Sequence, residues 1–369
     1  MEVKTLTLLN FRNYEQEEIS FCPGINIIYG DNAQGKTNLL EAVSLFSQGK
    51  SPRTRTDTEM IRFGEKFFRL GLEFADRQRS YRAKMQLSAD GKKSIWVNQV
   101  PVSRLSQLMS YLNVVMFSPE DLELVKGAPS VRRRFLDAAI SQLYPNYLSA
   151  LVDYQKALRQ KNSLIRFGKI RSREDIAMMS AWNEQLADFG SRIALYRRSF
   201  LEQLSAYANE VHSQISKEKL KIDYTPSVDC GIIEEDAKNI FLNRLEQSAQ
   251  RELDAGGALL GIQRDDVRIR IGEKEARLFG SQGQQRTAAL SLKLAQTEVI
   301  RKIRGEYPVL LLDDIMSELD FHRRQYLSER ISGKQVLLTS TDTDVYENTE
   351  NRRLFHIAGG RVTDACSYI

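Results

Sequence analysis

The 369-residue chain carries 53 Lys and Arg against 48 Asp and Glu, a formal charge of +5, with 42% apolar and 27% charged residues. These proportions exclude a disordered or low-complexity chain, and no stretch reaches the roughly 20 apolar residues of a membrane span. No apolar signal segment follows Met-Glu-Val-Lys, and Cys22, Cys230 and Cys366 are too scattered for a disulfide framework or a metal site, so a cytoplasmic protein with no membrane partner is expected.

Val3 to Leu9 alternates as a strand, with Ile19 to Phe21 as its candidate partner. Ile25 to Tyr29 is a short β-rich run ending at Gly30. Asn38 to Phe46 then carries Leu39, Leu40, Val43 and Phe46 at helical spacing. Segments near 67–75, 79–87 and 94–100 read as antiparallel strands, broken at Asp90-Gly91. From about residue 130 to Gln214 the chain reads as long helices. Trp182, Leu186, Phe189, Ile193, Tyr196, Phe200, Leu204, Tyr207 and Val211 step by threes and fours, as in a buried helix seam. Arg166 to Glu174, charged and containing Gly168, is a connection between helices. Strand alternation returns at Lys219–Asp223 and Val267–Ile271, followed by a helix over Gln284–Arg304. Val309–Leu312 and Gln335–Thr339 are apolar runs suited to buried parallel strands, and Leu354–Val362, broken by Gly359-Gly360, closes as a hairpin.

Two distant segments carry the chemistry. Gly30-Asp31-Asn32-Ala33-Gln34-Gly35-Lys36-Thr37 fits G-x-x-x-x-G-K-[ST] in its required strand–loop–helix context. Glycines let backbone N–H groups wrap phosphates, Lys36 reaches the β- and γ-phosphates, and Thr37 ligates Mg²⁺. The second segment, Val309 to Asp314, ends a buried strand on two carboxylates. Burial of a carboxylate requires an ion or a hydrogen-bond network, so Asp313 holds Mg²⁺, directly or through water. Asp314 is placed to orient or deprotonate an attacking water.

Ser281-Gln-Gly283-Gln284 opens the helix that precedes this strand. It fits a second anion site, which would serve another subunit's nucleotide, and equally a helix N-cap with no ligand. Arg53 and Arg55, and the run Arg132-Arg133-Arg134, fit phosphate contacts to DNA and equally internal salt bridges or a solvated face.

The order P-loop, insertion, Ser-x-Gly-Gln, acidic strand and Ser317-Glu-Leu-Asp320 resembles the ABC-type ATPase heads of the structural-maintenance and double-strand-break repair families. Leu9-Asn-Phe-Arg12-Asn13-Tyr14, Gly30 to Ala42, Phe117-Ser-Pro-Glu120-Asp121-Leu, Arg133-Arg134-Phe-Leu-Asp137 and Gly280 to Arg286 narrow the resemblance to the RecF family of bacterial recombination mediators, over nearly the whole chain. The resemblance implies an α/β fold, an ABC-type P-loop ATPase lobe with a mixed sheet and flanking helices (1–115 and 251–369), plus an inserted, mainly helical lobe (116–250). It implies ATP and Mg²⁺ as cofactors, and a head-to-tail homodimer formed on ATP binding. In that dimer Ser281, Gly283 and Gln284 would meet the partner's nucleotide. It implies Arg12 and Asn32 as added nucleotide contacts and a slow, DNA-stimulated ATPase. It further implies binding to gapped or single-strand/double-strand DNA, acting with RecO and RecR to load RecA in recombinational repair, replication-fork recovery and the SOS response.

Two departures bear on mechanism. Asp314 stands where many such heads have Glu, and no His lies in Thr339 to Asp342, where Thr341 is the substitute. Ser118 to Glu120 occupies the place of the glutamine loop. The rival readings are a transporter-type ATPase subunit, which the missing histidine disfavours, and a long-armed structural-maintenance head, for which the insertion is too short.

Overall fold

The computed structural model describes residues 1–51, 53–54, 56–103, 105–167, 173–341 and 351–368. Contacts divide the chain into two compact units, residues 1–121 with 293–369, and residues 122–292.

The first unit opens with β1 (Glu2–Phe11), β2 (Tyr14–Ser20), β3 (Ile25–Tyr29) and α1 (Lys36–Gln48), followed by β4 (Phe67–Ala75), β5 (Ser80–Ser88), β6 (Lys93–Val97), β7 (Val100–Pro101), α2 (Leu105–Met109) and β8 (Val114–Phe117). β1 turns directly into β2, with Phe11 facing Tyr14 in register. The pairing strand therefore begins earlier than Ile19. Arg12 takes φ 56 in this turn, a left-handed conformation that reverses the chain within two residues. The sheet runs β2-β1-β4-β5-β6-β7, antiparallel throughout. Its strands bury alternate side chains, as the period-2 pattern requires.

The second unit, residues 122–292, begins with α3 (Glu123–Lys126), α4 (Pro129–Leu143), α5 (Pro145–Phe167) and α6 (Arg173–Ser216). It continues through β9 (Leu220–Thr225), α7 (Glu234–Ala255), β10 (Asp266–Ile271), β11 (Lys274–Glu275), α8 (Ala276–Phe279) and the start of α9 (Gln282–Arg304). The seam on α6 is buried at Leu186, Ile193, Phe200, Leu204 and Val211. Gly190 lets α6 and α7 approach closely, because a Cβ there would lie 2.7 Å from the Phe241 ring. This unit also takes in residues 251–292, which the sequence grouped with the ATPase lobe. The reason is sheet pairing: β9 hydrogen-bonds to β10, and β10 to β11, so the strands beyond residue 250 belong with those before it. The stretch 168–172 of the expected α5–α6 connection lies outside the described residues.

The remaining elements return to the first unit: β12 (Val309–Asp313), α10 (Ile315–Glu318), α11 (Phe321–Ile331), β13 (Val336–Ser340), β14 (Arg352–Ala358) and β15 (Arg361–Tyr368). Its second sheet runs β15-β14-β3-β13-β12-β8, parallel except for β15. The apolar runs of β12 and β13 are buried on both faces, as in a covered parallel sheet. One core joins both sheets and α1: Leu6, Leu39, Val43, Phe68, Met85, Leu311 and Leu337 belong to it. α1 is thereby anchored by packing at the carboxyl ends of β3 and β13, where α/β folds place their ligands.

Candidate nucleotide site

The loop Gly30–Gly35 leaves β3 and enters α1 with three residues in left-handed backbone: Gly30 (φ 143), Ala33 (φ 63) and Gly35 (φ 116). A Cβ on Gly30 would lie 2.3 Å from the Ile357 carbonyl oxygen, and one on Gly35 2.6 Å from Asn13 Nδ2. Both positions are restricted to glycine by conformation and by space. α1 has no side-chain cap, so its first N–H groups face the loop's hollow, the arrangement that binds a phosphate. Asp31, Asn32 and Ala33 are exposed at the loop tip. Lys36, 9% exposed, folds back to donate to Gly30 O (2.5 Å) and Asp31 O (2.9 Å). Burial lowers its pKa, while Asp314, Asp31 and Asp313 pull it back up.

The two predicted halves meet. Thr37 Oγ1 donates to Asp313 Oδ1 at 2.8 Å, and Thr339 Oγ1 donates to the same oxygen at 2.8 Å. The parallel register of β12 and β13 sets Asp313 opposite Thr339. Burial pushes the Asp313 carboxyl above the ordinary carboxylate range, countered by the two hydroxyl donors and by Arg53. Asp314 is exposed in left-handed backbone (φ 49), its N–H donating to Thr339 Oγ1 at 2.9 Å. Ser317 Oγ donates to Asp314 O (2.8 Å) and lies 3.1 Å from Oδ1. The hydroxyl at the end of β13 that meets the carboxylate is thus Thr339, not Thr341, which is exposed; Asp342 lies outside the described residues. β8 flanks β12, with Phe117 beside Leu312, so Ser118–Glu120 leaves the sheet at the same edge as Asp313.

Sequence reasoning missed the frame around the loop. Asn13 Nδ2 donates to Gln34 O (2.7 Å), Tyr14 OH to Gly35 O (3.0 Å), and Asn38 Nδ2 to Asn13 Oδ1 (2.9 Å). From the β14–β15 turn, Gly359 N donates to Gln34 Oε1 (2.7 Å) and Gly360 N to Gln34 O (3.1 Å). Arg12 makes a two-pronged pair with Glu41 of α1, Nε to Oε2 at 2.9 Å and Nη2 to Oε1 at 2.7 Å, and donates to Glu59 O at 3.0 Å. Glu41 is 1% exposed and also receives Ser51 Oγ. The one available signal was a charged residue among the apolar positions of α1.

The basic residues divide. Arg53 is bound at α1, Nη1 donating to Asn38 Oδ1 at 2.8 Å and lying 3.3 Å from Glu41 Oε2. Arg55 lies outside the described residues. Arg132 makes an internal salt bridge and Arg133 an internal hydrogen bond to a backbone carbonyl. Arg132 is 5% exposed, forks onto Asp266 (2.7 and 3.0 Å) and donates to Gly127 O (2.8 Å). Arg133, half-buried, donates to Asp265 O at 2.7 Å. The Arg132 guanidinium is withheld from solvent, while that of Arg133 is only partly so.

Ser281, Gly283 and Gln284 stand in the second unit. Ser281 N donates to Gln284 Oε1 (2.9 Å) and Gln284 N to Ser281 Oγ (3.2 Å), a reciprocal capping box at the start of α9. Both readings of the motif survive this geometry. Ser281 is exposed, and its hydroxyl accepts from the cap while keeping its own hydrogen to donate.

A glycine loop at a helix start, an acidic strand returning beside it, and a capped Ser-x-Gly-Gln helix define an ABC-type P-loop ATPase head. The family model described as RecF/RecN/SMC N terminal domain matches residues 2–361. The DNA replication and repair protein RecF of Bacillus cereus (strain G9842) is 42% identical, covering 98% of both chains. The same-named protein of Bacillus thuringiensis (strain Al Hakam) is also 42% identical, with 98% of both chains covered. A solved recombination mediator protein RecF-ATP of the RecFOR pathway has 35% identity and a TM-score of 0.90, covering 100% of this chain and 98% of that one. The Smc head domain of Pyrococcus furiosus shares the fold alone, at 17% identity and TM-score 0.57, covering 100% of this chain and 96% of that one. The chain belongs to the RecF family.

Proposed function

We propose that this chain is an ATP-gated DNA-binding protein. It dimerises on ATP, binds single-strand gaps or single-strand/double-strand junctions, and acts with RecO and RecR to load RecA in repair, replication-fork recovery and SOS induction. The observation that carries the reading is the junction at Asp313, where Thr37 of the P-loop helix and Thr339 of β13 converge on one carboxylate oxygen.

The residues fit Mg²⁺. Asp313 is a largely buried carboxylate whose contacts are hydroxyl donors, and among the described residues no ammonium or guanidinium pairs with it directly. A hard cation with oxygen ligands suits a carboxylate, a hydroxyl and two phosphates. Bound with ATP, Mg²⁺ would neutralise charge on the β- and γ-phosphate oxygens, held by Thr37 and Asp313. Lys36 would exchange its contacts to Gly30 O and Asp31 O for phosphate oxygens. Asp314, held by Thr339 and Ser317, would orient the attacking water. Its carboxylate reaches one methylene less far than Glu, which supports slow, DNA-stimulated hydrolysis.

The second copy would supply Ser281, with Gly283 and Gln284 shaping the anion site. Apolar exposure beside the motifs supports such a contact: Leu278 and Phe279 before the signature are each 67% exposed, and Phe321 after Asp320 is 72% exposed.

Sedimentation with and without ATP and gapped DNA tests this reading on wild type, Lys36→Arg and Ser281→Arg. Dimerisation on ATP is expected in wild type alone, with nucleotide binding retained by Ser281→Arg. An ATP-dependent Ser281→Arg dimer would overturn the shared site.

A further inference from the structure

With Arg132 tied up in a salt bridge and Arg133 bonded to the Asp265 carbonyl, a cationic surface with more exposed side chains lies on the solvent face of the antiparallel sheet. On β5 the side chains alternate strictly, with Tyr81, Ala83, Met85 and Leu87 turned to the core and Arg82, Lys84 and Gln86 turned out. Register assembles the outward rows. Arg69 of β4 stands opposite Gln86, Gly71 opposite Lys84, and Glu73 opposite Arg82. On the other side, Lys84 stands opposite Trp96 of β6.

Gly71 brings no side chain to its row, where the Thr7 hydroxyl of β1 leans over it, so Lys84 has the indole on one flank and only that small hydroxyl beyond Gly71 on the other. The result is a hollow of about 430 Å³ lined by Arg69, Arg82, Lys84, Gln86, Trp96 and Gln99. That is room for about one nucleotide, at the small end of ligand sites. Two of its cations are positioned. Arg69 donates Nε and Nη2 to Gln86 Oε1 (3.2 and 3.0 Å), which fixes the plane of its guanidinium. Arg82 pairs with Glu73 at 2.8 Å, but the two side chains are 77% and 46% exposed. A pair so well solvated contributes little and exchanges readily for a phosphate. Three cations thus line the hollow, one of them paired with Glu73.

The indole decides which polyanion fits. Trp96 is only half-buried among the cations of this face, which also carries Phe67 under the Arg69 guanidinium. A cationic sheet without an aromatic would suit any phosphate backbone. Aromatic side chains among cations are the arrangement by which proteins hold unpaired nucleotides: the base stacks on the ring while Lys and Arg follow the phosphates. Duplex DNA keeps its base faces inside its own stack and offers the ring nothing.

We propose that Trp96, flanked by Lys84, Arg82 and Arg69, is a stacking platform for single-stranded nucleic acid. The inference rests on the DNA-binding reading above and deepens it, assigning the unpaired side of a gap to the β4–β6 face. It makes no use of the nucleotide site.

The chain has two tryptophans, so Trp182→Phe leaves Trp96 as the sole indole reporter. The full-length Trp182→Phe protein, without nucleotide, is titrated with an oligothymidylate of about twelve residues, within the usual site sizes for such surfaces. Strong quenching of Trp96 is expected, reversed by salt, with a duplex of equal length at least about tenfold less effective. By anisotropy of the labelled strand, Trp96→Ala should bind about tenfold more weakly, as loss of a base–aromatic stack implies. Trp96→Phe should keep most of the affinity, and Arg82→Gln with Lys84→Gln should flatten the salt dependence. The last two variants preserve the test should Trp96→Ala unfold. An unquenched Trp96 at saturating oligonucleotide, or equal quenching by duplex, overturns the proposal. Lys36→Arg separates the two readings. Quenching that persists in this variant, while ATP-dependent dimerisation fails in wild type, sinks the clamp and leaves the platform. Wild-type dimerisation with no quenching does the reverse.

Discussion

Replacing Arg12 by alanine separates two roles for a residue expected to touch nucleotide. Arg12 occupies the β1–β2 turn and forks onto Glu41, whose side chain is fully buried while that of Arg12 is 18% exposed. Removing one member of a buried ion pair costs about 3–5 kcal/mol, because the other charge is left without compensation. Here Ser51 stays on the carboxylate, as does the more exposed Arg53 at 3.3 Å, so the expected loss is about 2–3 kcal/mol. In a domain of roughly 200 residues that lowers Tm by about 4–12 °C. Scanning calorimetry of the nucleotide-free protein reads it directly. Arg12→Ala combined with Glu41→Gln should recover about half of the loss, since the uncompensated charge is gone. An Arg12→Ala transition unchanged from wild type without nucleotide would refute the positioning role and leave nucleotide contact alone.

Three further outcomes follow from the same geometry. Gly35→Ala forces a Cβ to 2.6 Å from Asn13 and demands φ 116 of an alanine, so nucleotide binding by equilibrium dialysis should fall at least about tenfold. Because burial raises the Asp313 pKa, the proton is retained above the ordinary carboxylate range. Mg²⁺-supported nucleotide binding should therefore weaken on acidification at a higher pH than a free aspartate would dictate. Asp313→Asn should abolish that pH dependence along with most of the metal requirement. By the same linkage, ionising Asp313 without a cation opposes folding, so nucleotide-free stability falls as pH rises through the raised pKa. Arg132→Ala strips the fork from Asp266 and should cost about 2–4 kcal/mol in urea unfolding, with DNA affinity of the folded protein unchanged. A selective loss of DNA affinity would return Arg132 to the DNA surface.

Local chemistry explains which parts were legible. The P-loop, the acidic strand and the helix seam declare themselves because each is a contiguous pattern: glycines before Lys36, four apolar residues before Asp313, threes and fours along α6. The frame of the loop was not legible, since Asn13, Tyr14, Gln34 and Gly359 are hydrogen-bonded partners far apart in the chain. Charge runs left two readings open for the same reason. Arg132 and Arg133 fitted phosphate contacts and internal pairs equally, because their partners Asp266 and the Asp265 carbonyl lie over 130 residues on.

The sequence by itself determined that a triphosphate-type loop, an acidic strand and a capped Ser281 helix exist, because each depends on residues within a few positions of one another. Tertiary structure alone decided that Thr339 shares Asp313 with Thr37, that Arg12 braces α1 through Glu41, and that Arg82, Lys84 and Trp96 share one open face. Those outcomes depend on strand register and on which charges find partners. Both are settled only when segments apart in the chain are packed together, 276 residues apart for Thr37 and Asp313 and 29 for Arg12 and Glu41.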